Sequence, residues 1–113
     1  MFIELGRFAR DVEVRKVTIN GEEKSVFNNA LAVSYDKNNA AFMEVTAWNG
    51  TADLIGKYFQ KGDELVIEGE LRNRKNKRED GKEFTEPFIM INRVRFTHGK
   101  KAAAAENSDN AQE

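Results

Sequence analysis

The sequence predicts an all-β fold: one small sheet curled into a five-stranded Greek-key barrel, with a single short helix between the third and fourth strands. Three observations carry this prediction. Residues 41–48 alternate cleanly, with Met43, Val45 and Ala47 on one side of an extended chain and Phe42, Glu44, Thr46 and Trp48 on the other. Directly after Trp48 the spacing becomes helical, with Leu54, Ile55, Tyr58 and Phe59 falling at i, i+1, i+4 and i+5. Hairpin signals at Asn20-Gly21 and Asp80-Gly81 separate extended segments on either side.

Taken in order, residues 2–8 form a first strand, in which Gly6 marks a bend or bulge where the sheet must curl. Val12, Val14, Val17 and Ile19 continue the extended pattern to the Asn20-Gly21 turn. The return strand runs from about Val26 to Ser34, and the polar residues 35–39 make a loop. The third strand, 41–48, directs Met43, Val45 and Ala47 to a core. Asn49 or Thr51 caps the helix that follows, and Lys61-Gly62 stops it. Residues 63–71 resume a strand, with Leu65 and Ile67 on one face and Val66 and Glu68 on the other. Residues 84–96 close the sheet, and Pro87 places part of that region at an edge or a bulge. One helix between strands three and four of a small barrel is the order of an OB-fold, a barrel whose open face binds oligonucleotides. Small barrels also dock proteins, so the residues must decide.

Composition removes most other function classes. The 113 residues provide one modest core, and no apolar run approaches the ~20 residues of a membrane span. The first residues, Met1-Phe2-Ile3-Glu4-Leu5, lack the basic start and long apolar centre of a secretory signal. The expected compartment is therefore the cytoplasm of a cell, or of an infected cell. With no cysteine there is no thiol nucleophile and no zinc ribbon, and the one histidine, His98, reads as a solvated residue. Neither a Gly-x-x-x-x-Gly-Lys loop nor a Gly-x-Ser-x-Gly turn occurs. Glu68 and Glu70, which share a strand face, are the only carboxylates that suggest a metal-dependent nuclease, and they also read as ordinary solvent-facing residues. No cofactor, metal or enzymatic activity is expected.

Charge and aromatics point to a binding surface. The formal net charge is only −1, yet residues 72–78 carry five basic side chains, Arg72, Arg74, Lys75, Lys77 and Arg78, with no acid among them. Such a run is either a solvated hairpin tip or an arm that tracks phosphates. One strand earlier, Phe42 and Trp48 stand on the face opposite the core beside polar neighbours. They pack under a loop or against a subunit, or they form a stacking surface for bases, worth ~1–3 kcal/mol per base.

A family resemblance bears on this choice. Gly6-Arg7-Phe8-Ala9-Arg10-Asp11-Val12-Glu13-Val14-Arg15, Leu31-Ala32-Val33, Val45-Thr46-Ala47-Trp48, Ala52, Lys61-Gly62-Asp63 and Glu68-Gly69-Glu70-Leu71-Arg72-Asn73-Arg74 resemble, in order and spacing, the bacterial single-stranded DNA-binding proteins. The resemblance covers roughly residues 1–98, which form the expected domain. It implies an OB-fold that assembles as a homotetramer, with a dimer as the alternative, and wraps single-stranded DNA in replication, recombination and repair with little sequence preference. Phe42 and Trp48 match stacking positions of the family, and Lys61, Arg72, Arg74 and Lys75 match basic ones. Arg7 puts a cation where the family often has a polar residue, and Lys77 and Arg78 extend the basic run. A third family aromatic would fall near Asp36 or Lys37, where only Tyr35 is close, and a fourth falls at Asn76. These departures predict weaker stacking and a larger electrostatic share.

Residues 99–113 form a polar, low-complexity tail that cannot bury itself. It has Glu106, Asp109 and Glu113 but lacks the proline and phenylalanine that end the family's acidic recruiting tip. Recruitment of replication or recombination proteins is therefore in question, as for a phage- or plasmid-borne member, a specialised paralogue or a shortened chain. The alternative function is a replication or conjugation accessory that uses the barrel mainly to bind proteins.

Overall fold

A computed structural model describes residues 1–97, so His98 and the tail expected over 99–113 lie outside the described residues. Its elements are β1 (Phe2–Phe8), β2 (Val14–Ile19), β3 (Glu22–Ser34), β4 (Ala40–Trp48), α1 (Asn49–Tyr58), β5 (Glu64–Lys77) and β6 (Glu83–Phe96). The sheet runs β1-β5-β6-β4-β3-β2, and a further β1–β3 pairing closes it into a ring. The architecture is the expected OB-fold, with its one helix between β4 and β5.

Where the first strand was expected to run on to Asn20, it breaks into β1 and β2. Buried Asn29 holds the break. Its Oδ1 accepts from the amides of Arg10 (3.0 Å) and Ala30 (2.7 Å), and its Nδ2 donates to the carbonyls of Arg10 (3.0 Å) and Asp11 (3.3 Å). A side chain thus satisfies backbone groups that a continuous strand would have paired. At Gly6 the chain passes so close to β3 that a Cβ would stand 2.7 Å from the Ala32 carbonyl oxygen. There β1 passes from β5, which it pairs through Arg7, to β3, which it meets at Arg7 and Phe8.

The Asn20-Gly21 turn forms as expected, with φ of 52° and 82°, the left-handed pair of a type I′ hairpin. Strand β3 begins at Glu22 and not near Val26, because the turn zips its polar first residues onto β2. Likewise β5 does not stop at Leu71. The basic run stays extended to Lys77 because each of its residues has a partner on β6, from Arg72–Phe88 to Lys77–Glu83. Among the described residues, this hairpin is two-stranded beyond Phe88 toward the turn, which is where Pro87 sits, at an edge. Helix α1 also departs from its expected caps. Trp48 occupies the N-cap with no side-chain hydrogen bond, and the helix ends at Tyr58 ahead of the Gly62 turn.

The core fills the barrel with Phe8, Phe27, Leu31, Val45, Ile67, Ile89 and their neighbours, and α1 plugs one end with Ala52, Ile55 and the adjoining Phe59. Phe8 meets Phe27 and Phe59 edge-on, at centroid distances of 5.1 and 5.9 Å. Among the described residues no helix is long and apolar enough to cross a membrane.

Candidate nucleic-acid interface

Residues directly opposite each other in an antiparallel pair share a face, so the register defines the outer surface. Phe42, Glu44, Thr46 and Trp48 of β4 oppose Ala32, Ala30, Asn28 and Val26 of β3. Val26 in turn opposes Arg15 of β2, Thr46 aligns with Met90 of β6, and Ala32 opposes Arg7 of β1. The core face is as expected at Val45 and Ala47, with Met43 half-buried. Phe42 is 67% exposed and Trp48 is half-buried, so both rings reach the outer surface.

Beside Trp48 lies an open groove of about 350 Å³, lined by Trp48, Phe88, Met90, Thr46, Arg15 and Arg74 among others. A second depression of about 360 Å³, beneath Arg10 and Asp11, shares Arg15 and Asn28 with it.

Alternation splits the basic run in two. Arg72 and Arg74 lie on the outer face, opposite Phe88 and Glu86, and Arg78 lies over the ring of Phe84 on that same face. Lys75 and Lys77 project from the other face of the arm, opposite Thr85 and Glu83. The five cations are therefore not one patch but two sides of a ribbon.

Their charges are also not equally available. Arg72 is bridged to Glu70 at 2.8 Å, and Arg74 lies 3.5 Å from Glu86. Arg7 donates to the Gly62 carbonyl at 2.9 Å and to Glu64 at 3.3 Å, which sets it beside the turn that carries Lys61. No ion pair joins Lys61, Lys75, Lys77 or Arg78 to an acid among the described residues.

Tyr35 is exposed at the start of the loop between β3 and β4. Asp36 closes that loop by accepting from the Asn39 side chain and the Asn38 amide. These bonds, the Asn39 side chain's first, hold its carboxyl below the usual aspartate range. A loop-closing carboxylate thus stands near the position where the resemblance would put a third aromatic.

Glu68 accepts from Arg95 at 2.8 Å and Glu70 from Arg72 at 2.8 Å, so both carboxylates weighed for metal chemistry are engaged in ion pairs. Among the described residues no group of three or more acidic, histidine or cysteine side chains gathers to hold a metal.

Phe88 and Arg15 belong to this surface but not to the set singled out from sequence. A signal for Phe88 was present. Folding the chain at Asp80-Gly81 pairs residues 72–78 with the segment that follows, and sets Phe84 and Phe88 on the arginine face.

Comparison with known proteins agrees with this architecture. The model of the single-strand binding protein family matches residues 1–97. A single-stranded DNA-binding protein of Neisseria meningitidis is 32% identical over 96% of this chain and 63% of its own length. Another, of Malacoplasma penetrans, is 33% identical over 95% of this chain and 53% of its own. One from Fusobacterium nucleatum is 33% identical over 87% of this chain. The chain thus spans little more than half to two thirds of these relatives. With the barrel, the helix position and the family match over all but the end of the chain in agreement, this protein belongs to the single-strand binding protein family.

Proposed function

We propose that the chain binds single-stranded DNA with little sequence preference, protecting and organising it during replication, recombination and repair, and that it does so without chemistry of its own. One observation carries the reading: Phe42 and Trp48 reach the same outer face as the arginines of the arm, so a strand crossing the face meets rings and cations together. Bases stack on Phe42 and Trp48. Phosphates meet Arg7, Lys61, Arg72, Arg74 and Arg78 on one side and Lys75 and Lys77 on the other, with Tyr35 at the loop rim. Phosphate contacts position the strand and stacking is tolerant of sequence, which accounts for the broad specificity.

The working unit is a homo-oligomer. Supporting this, β1 pairs on one side with β5, while its other edge has no strand partner among the described residues before Arg7. Ile3 and Leu5 on that strand are 57% and 48% exposed. An open edge with exposed apolar residues is a surface for pairing with a second copy.

The test is the affinity of the protein for a labelled oligo-dT and for a duplex of equal length. The single strand is expected to bind far more tightly. Trp48→Ala should weaken its binding by about 1–3 kcal/mol at every salt concentration. Equal affinity for the duplex, or full affinity in Trp48→Ala, would contradict the reading.

A further inference from the structure

The arm lacks a ring at Asn76, but the fold supplies an aromatic from the neighbouring strand. Phe88 lies opposite Arg72 on β6, is half-buried, and forms part of the groove beside Trp48. Arg74 covers it, with Cζ 4.3 Å from the ring centroid. The guanidinium is fixed at its rim as well. Its Nη2 donates to Thr46 Oγ1 at 3.1 Å, and that hydroxyl donates in turn to Asn28 Oδ1 at 2.7 Å. Glu86 stands 3.5 Å from Arg74 Nε, which is buried and has no hydrogen-bond acceptor.

These contacts make Arg74 a poor phosphate clamp and a good flat surface. Its charge is partly balanced by Glu86, its guanidinium carbon sits over a ring, and its side chain remains 31% exposed. Guanidinium planes stack on unpaired bases as aromatic rings do. We propose that Arg74, laid on Phe88, is a third base-stacking position next to Trp48, with a nucleobase packing on the outward face of the guanidinium. This deepens the single-strand reading, on which it rests, by assigning Arg74 to a base instead of a phosphate and by making Phe88 the residue that positions it.

The test compares Arg74→Lys, which keeps the charge and loses the plane, with Phe88→Leu, which keeps apolar bulk and loses the ring. Labelled oligo-dT and an abasic strand of the same length serve as probes, at low and moderate salt. Each variant is expected to weaken oligo-dT binding by about tenfold, and by the same factor at both salts. The double variant should be little worse than either single one, because the two residues act as a unit. Phe88→Tyr should bind like the parent, which guards against a loss caused by misfolding. On the abasic strand all variants should match the parent. The proposal is overturned if Arg74→Lys and Phe88→Leu bind oligo-dT normally, or if they weaken the abasic strand equally. If the parent protein binds oligo-dT and both variants bind it equally well, only the third stacking position fails. If the parent does not bind oligo-dT, the single-strand reading fails first and this assignment with it.

Discussion

Asn29 and Trp48 show how much a single side chain decides in this small barrel. Asn29 is wholly buried, yet it makes four hydrogen bonds to the backbone of residues 10, 11 and 30 and so replaces strand pairing across the break between β1 and β2. Leaving buried amides and carbonyls without partners costs about 1–3 kcal/mol each. Asn29→Ala is therefore expected to lower stability by roughly 3 kcal/mol, read as a lower urea midpoint with an unchanged slope. A loss below about 1 kcal/mol would mean that water or a local shift replaces those bonds. Sequence alone does not give Asn29 this role, because a polar residue in a strand acquires meaning only from a neighbouring break. Trp48 is the opposite case. Its place on the outer face is legible from the two-residue alternation of β4, since that period depends on the strand alone.

The decisive element is the β5–β6 arm. Residues 72–78 have no apolar alternation to announce a strand, and their extended state comes from pairing with β6, which is a long-range contact. That is why the basic run read as an arm leaving a strand that ended at Leu71. Pairing also assigns the faces, which composition cannot do: arginines outward with Phe84 and Phe88, lysines on the reverse. The consequence concerns salt. Lys75 and Lys77 have no acidic partner among the described residues, whereas Arg72 is already matched by Glu70 at 2.8 Å. Replacing both lysines with glutamine should flatten the plot of log affinity against log salt by about 0.7 per lost phosphate contact. Arg72→Gln should flatten it by less than the roughly 0.7 of one full contact, because a phosphate must first displace Glu70. A full contact's worth of flattening would show that the Glu70 bridge opens at no cost.

At the scale of the molecule, the barrel order was legible from two turn signals, one alternating strand and one change of period. The particular pairs that close it were not, because the β1–β3 and parallel β4–β6 contacts join segments far apart in sequence. Among the described residues, closure leaves the outer edge of β1 open before Arg7, with Leu5 and Ile3 exposed on that strand. Leu5→Glu is expected to shift the protein toward smaller species in sedimentation while leaving its β-rich circular dichroism unchanged. An unaltered sedimentation profile would move the assembly surface elsewhere. The central claim, that this face holds a single strand against its rings, is tested most directly through Trp48, which is the only tryptophan in the chain. Intrinsic fluorescence should be titrated with oligo-dT and with a duplex of equal length at low and moderate salt. Strong quenching by the single strand alone is the predicted result. Unchanged emission from a protein that binds neither strand would contradict the account and leave a barrel that acts through protein contacts.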